Sequence, residues 1–350
     1  MRCISRGRFS AIALCVIAAA TSAPQRAVAD AGGVSFWLPG TFGSLAAVPG
    51  QPGLSWATIY YHTTVSAGTD VSVAREITIG GSGVTVKANV NANLDAKADL
   101  FLFGPNYTFA TPVLGGQAAV SMMGVYGRNS VSIAGTLLAG VGGINIERSG
   151  QISDSLTAFG DLYPQATLKW HSGVHNFMIY AMGDIPVGAY DSTRLANAGI
   201  GHGAIDGGAG YTYFDPTKGH EFSAVAGFTY NLINPSTNYQ NGVDFHLDWA
   251  ASQFLSKQVF VGVVGYLYNQ VGCDSGSGDK VGCFQSRVAG IGPQIGYIFP
   301  VGQYHGFLGL KGYKEFDAQN RPDGWNVWLT FAISPAAAIP PPAQSALIHK

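Results

Sequence analysis

Charge is what this sequence has least of. Asp, Glu, Lys and Arg make up 11% of its 350 residues, against roughly 25% in soluble domains. The two signs nearly cancel, leaving a formal net charge of −1, so the basic footprint of a nucleic-acid-binding protein is absent. Cysteine is also scarce. Of four in the chain, none forms a CxxC pair or stands at metal-ligand spacing with histidine, and no metal or cofactor is expected. No GxSxG nucleophile elbow occurs. Beyond residue 20 no apolar run is long enough for a membrane-spanning helix. Yet hydrophobic content is an ordinary 47%. Glycine (48 residues) makes up much of the missing charge, and 16 Tyr and 19 Phe enrich the chain in aromatics. A membrane β-barrel requires this mixture: apolar and aromatic residues outside, small and uncharged polar ones inside.

The first residues have the form of an export signal. Arg2, Arg6 and Arg8 supply a basic end, Phe9 to Ala20 a short apolar core, and Ala27-Val28-Ala29 a small-x-small cleavage site. Residues 1–29 are therefore expected to be removed, leaving Asp30 as the new N-terminus, with cleavage after Ala23 as the weaker alternative. Cys3 and Cys15 leave with the signal. Cys273 and Cys283 remain, bracketing a polar, flexible loop. In an oxidising compartment such a pair closes into a disulfide, constraining the chain by about 2–3 kcal/mol. Asp274 and Asp279 within that loop are weighed as calcium ligands and set aside, because no EF-hand pattern surrounds them.

The mature chain is written in a two-residue rhythm. Val243, Phe245, Leu247 and Trp249 alternate with Asp244, His246 and Asp248; Trp325, Val327, Leu329, Phe331 and Ile333 alternate with small or polar residues. From Leu54 to Ser334 about twelve such strands can be counted, which predicts an all-β fold: a transmembrane antiparallel β-barrel of the outer membrane, residues 53–334. Short turns fall at Pro112 to Gly116, Asp215 to Gly219, Ser256-Lys257 and Pro300 to Gly302. Longer connections are read at Ser66 to Ala92 (itself extended from Val84 to Val90), 132–153 and 189–204. Short turns and long loops alternate, which places both termini in the periplasm. Residues 30–52 break any regular element with glycine and proline yet carry Phe36, Trp37, Leu38 and Phe42. They read either as a plug folded into the barrel or as a loose leader. The Pro-rich residues 335–350 read as an extended tail.

Several segments resemble a known family. They are Asp184-Ile185-Pro186-Val187-Gly188-Ala189-Tyr190-Asp191, Tyr211 to Gly219, and Asn231 to Asp248, where the spacing Asn…Ser-Thr-x-Tyr-x-x-Gly-x-x-x-His-x-Asp is the most specific part. The chain resembles the meta-pathway phenol-degradation family, also called SphA-like, of outer-membrane transporters. The resemblance implies an outer-membrane barrel linked to uptake of hydrophobic or aromatic compounds. It implies no catalytic or binding residues.

Strand parity nominates the interior. Asp95, Lys97, Asp99, Asp161, Lys169, Asp184, Asp206, Glu221, Asp244, His246, Asp248 and Lys311 are predicted to point inward, since a charge facing lipid costs up to a few kcal/mol. Tyr163, Tyr180 and Phe159 are aromatic candidates for the same lining. Asp244-x-His246-x-Asp248 could orient a base or contribute to a metal site, but a hydrogen-bonded interior cluster is the simpler reading. The sequence thus predicts a monomeric channel, with membrane lipid and small hydrophobic or aromatic solutes as partners, and no enzyme. The alternatives are a general diffusion porin, a lipase-like barrel enzyme and a structural barrel.

Overall fold

The computed structural model describes residues 36–69, 75–78, 85–141, 144–279, 282–283 and 285–336. The residues read as an export signal (1–29), the start of the N-terminal segment and the residues beyond 336 lie outside them. Thirteen strands follow one another: β1 Gly53–Thr69, β2 Arg75–Thr78, β3 Thr85–Thr108, β4 Gln117–Val141, β5 Ile144–Ser172, β6 His175–Asp184, β7 Ala204–Asp215, β8 His220–Asn231, β9 Asp244–Phe254, β10 Val259–Gln270, β11 Arg287–Val301, β12 Tyr304–Gln319 and β13 Asp323–Pro335. Each of the long strands pairs antiparallel with its neighbours. β1 pairs with both β3 and β13 and so closes the cylinder, with Trp56 opposite Ile333 and Ser66 opposite Asp323. β2 is a short strip hung on β3. The barrel therefore has twelve strands.

Closure removes every sheet edge within the membrane, where no water could satisfy an open row of amides. The alternation in sequence becomes an alternation in burial. On β6, Met178 and Tyr180 are buried inside, while Phe177 and Ile179 are half exposed on the outer face. β9 repeats this, with Asp244, His246 and Asp248 buried and the apolar residues between them turned outward.

The wall is lopsided. β6 to β9 run 10–12 residues, close to the length that crosses a bilayer. β3, β4 and β5 run 24, 25 and 29 residues and must stand well above it. This corrects two sequence readings. Ser66 to Ala92 and 132–153 are not long loops, because β1, β3, β4 and β5 continue through most of them as paired strands. Their polar, Gly-rich composition carries no apolar stripe to mark the strand.

Candidate functional site in the barrel interior

The interior is filled, and residues 36–50 fill much of it. Phe36, Trp37 and Ala47 are buried, and the segment makes no strand of its own, so its backbone groups need partners from the wall. Asp248 of β9 accepts the amides of Gly40 and Phe42 on its two oxygens, each at 2.9 Å. Lys311 of β12 donates to the carbonyls of the same two residues. One turn is thus held by a carboxylate at its donors and an ammonium at its acceptors. Lower down, Glu221 accepts from Ser44 and Leu45 (2.7 and 3.0 Å), Thr212 accepts from the Ala47 amide (3.0 Å), and Lys169 donates to the Val48 carbonyl (3.3 Å). Gly40 has φ +91°, and a Cβ there would lie 2.9 Å from the Tyr313 ring, so no other residue fits that turn without strain.

Above this, four strands converge on a polar cluster. The His246 ring lies flat on the Trp37 indole, centroids 3.6 Å apart and 13° between planes. Its Nε2 meets Asp206 at 2.8 Å, and Thr229 donates to the same Asp206 oxygen at 2.5 Å. The Tyr180 hydroxyl is 3.4 Å from His246 Nε2. Gly227 makes room for all of this: a Cβ there would overlap the Tyr180 hydroxyl. Asn231 donates to Asp244 at 2.8 Å. Both carboxylate oxygens of Asp184 are buried without a hydrogen-bond partner among the described residues. Such a group is costly.

The outer connections close over this region. Asp161 of β5 accepts from the amides of Gly188 and Ile200, at 2.7 and 2.8 Å, and so ties both ends of the 185–203 loop to the wall. His202 is buried in that loop, and burial lowers its pKa below the usual histidine value. Asp274, weighed above as a calcium ligand, instead accepts from the Tyr239 hydroxyl (2.5 Å), the Gly242 amide (2.8 Å) and Gln270 (2.6 Å). Cys273 and Cys283 are disulfide-bonded, with Cα atoms 4.6 Å apart.

The opposite side of the interior, on β1 and β10 to β13, is aromatic. Tyr61 packs on Trp328 (4.6 Å) and Tyr266 on Tyr313 (4.8 Å). The Lys311 ammonium stands 5.0 Å over the Trp328 ring and Arg321 4.9 Å over Tyr268. The sequence reading missed this wall. Its signal was the Tyr266-x-Tyr268 alternation, which sets both rings on one face of β10.

Of the residues nominated by parity, Asp161, Tyr163, Asp184, Asp244, His246 and Asp248 stand inside. Asp95 and Asp99, with Lys97, do not. Leu100 and Leu102 pack against the buried interior, while Phe101 is exposed, so the odd-numbered residues of β3 face outward. The reason is height. Near the upper rim the outer face meets water, which accepts charge, and the interior is apolar, so the rule for lipid-facing strands inverts. Phe159 is likewise outside and 65% exposed, because an irregularity between Gly124 and Tyr126 shifts the β4–β5 register and reverses parity above it.

The family model for the MetA-pathway of phenol degradation matches residues 74–331. The chain belongs to this family. Solved structures are similar to it. An outer membrane channel from Pseudomonas putida F1 matches with a TM-score of 0.58 at 11% identity, over 81% of this chain and 96% of that one. A Pseudomonas aeruginosa FadL homologue matches with a TM-score of 0.38 at 8% identity, over 81% and 89%. No functionally curated protein matches the sequence. The chain is accordingly an outer-membrane β-barrel of this family, and its function must be argued from the interior.

Proposed function

We propose that this barrel is a channel for passive uptake of small hydrophobic or aromatic compounds across the outer membrane, and that it works as a monomer. The observation that carries this reading is the composition of the filled interior. A wall of Tyr61, Tyr266, Tyr313 and Trp328 faces a segment, residues 36–50, that hangs on a few hydrogen-bonding side chains. Aromatic faces offer stacking surface to an aromatic or apolar solute, whereas a general porin keeps a standing column of water. The relative from P. putida is itself named an outer membrane channel. In this reading the N-terminal segment is the gate, and a solute passes when the turn held by Asp248 and Lys311 lets go.

The test is solute uptake into liposomes holding the purified mature protein. Alkylphenols and aromatic acids should enter, and sugars and amino acids should not. Equal rates for both panels would identify a general porin and overturn the proposal. Deleting residues 36–50 should raise the rate for both panels; unchanged permeability would exclude the gate.

A further inference from the structure

One polar constellation lies outside the barrel. Alternation places Tyr60, His62 and Thr64 on the outer face of β1, since Tyr61 between them is buried against Trp328. Pairing with β3 sets Asp99 opposite His62 and Lys97 opposite Thr64. Asp99 Oδ1 lies 2.7 Å from His62 Nδ1 and accepts the Tyr60 hydroxyl at 2.6 Å. His62 Nε2 lies 3.3 Å from Thr64 Oγ1. A carboxylate that only accepts fixes the histidine proton on Nδ1, which leaves Nε2 as a base aimed at the threonine hydroxyl. Hydroxyl, imidazole and carboxylate stand in the order that activates an oxygen nucleophile.

We propose that Thr64, His62 and Asp99 form an esterase site, open to the outer leaflet, for carboxylic esters of long-chain lipids. Access is from outside: the side chains of His62 and Asp99 are 23% and 47% exposed, and the Trp325 ring lies 4.9 Å from the His62 ring. Height agrees with the substrate. Thr64 follows Gly53, the periplasmic end of β1, by 11 residues. At about 3.3 Å per residue and a strand tilt of roughly 40°, that is about 28 Å up, at the upper edge of an apolar band about 25 Å tall. Lipid ester groups lie at that boundary. The Thr64 hydroxyl adds to the ester carbonyl carbon while its proton passes to His62 Nε2. Lys97, which pairs with Thr64 across the β1–β3 register, is the cation assigned to the oxygen that becomes negative. The carbon–oxygen bond to the alcohol breaks, and the alcohol leaves with the His62 proton. Water then adds to the acyl-Thr64 ester with His62 as base, releasing the carboxylic acid and restoring the hydroxyl. The sum is ester plus water giving acid plus alcohol. Asp99 is the positioning residue.

The residues face away from the interior, so this inference does not rest on the channel reading. It is tested with the full mature protein, folded in detergent micelles as judged by heat-modifiable gel mobility. The substrates are p-nitrophenyl decanoate and dioleoylphosphatidylglycerol, which separate a simple acyl ester from a phospholipid. Thr64→Val should lower the rate at least 100-fold and Thr64→Ser should retain it. Asp99→Asn should lower kcat with KM unchanged, and mass spectrometry should find an acyl group on Thr64. A wild-type rate no higher than that of folded Thr64→Val on either substrate overturns the proposal. Solute uptake by Thr64→Val should be unchanged, so failure here leaves the channel reading standing.

Discussion

Asp248 binds two backbone amides and faces Lys311, which binds the carbonyls of the same residues. Removing the Asp248 carboxylate leaves both amides without their acceptor, a change that costs on the order of 1–3 kcal/mol for each. Asp248→Ala is therefore expected to undock the N-terminal segment: hydrogen exchange at residues 36–50 should rise sharply while the strands stay protected. His246→Ala is a different lesion. It removes the partner of Asp206 and the ring under Trp37 and opens a cavity in the interior. Melting should fall by the equivalent of about 2–4 kcal/mol, read as a lower temperature for loss of the compact gel form. Parity alone named both residues. It could not name their partners, which come from strands and a segment far away in sequence.

Among the elements, the 185–203 loop is the one whose docking should respond to acid. His202 is buried in it, and desolvation, the largest cause, holds its pKa below the ordinary value. The docked loop keeps the neutral form, whereas a released loop protonates near pH 6.5. Docking is therefore intact above that pH and weakens as pH falls through it. Limited proteolysis within the loop should accelerate between about pH 7 and pH 5, and His202→Gln should flatten the dependence. The disulfide acts on a neighbouring element. Reducing Cys273–Cys283 releases a short loop, a loss of about 2–3 kcal/mol of constraint. Protection of residues 271–286 should fall, and the barrel strands should keep theirs. Strands were legible wherever one face met lipid, as on β9 and β13. They were not legible at the tops of β3, β4 and β5, where the polar, Gly-rich sequence carries no alternating apolar signal.

At the scale of the molecule, wall and filling separate. The wall closes on its own hydrogen bonds, β1 to β13 as well as β1 to β3, and none of these needs residues 36–50. A protein lacking that segment should still give the heat-modifiable gel mobility of a folded barrel, and loss of that mobility would show that the segment is part of the core. The tall side, β3 to β5, carries its polar outer face above the membrane, and the rim beneath it holds the Thr64, His62 and Asp99 constellation.

Sequence alone determined the class of the protein. Two-residue alternation, low charge and the spacing of turns require a closed membrane sheet, because a half-lipid, half-interior environment is imposed locally on every strand. Parity also nominated Asp161, Asp184, Asp244, His246 and Asp248, which are buried inside, and by the same rule Asp95 and Asp99, which are not. Tertiary structure decided the rest. Only closure brings β1 beside β13, sets Asp99 opposite His62 on the outer face, and folds Gly40 between Asp248 and Lys311. Those contacts span up to 277 residues of chain, from Trp56 to Ile333, and no local pattern encodes a partner at that distance.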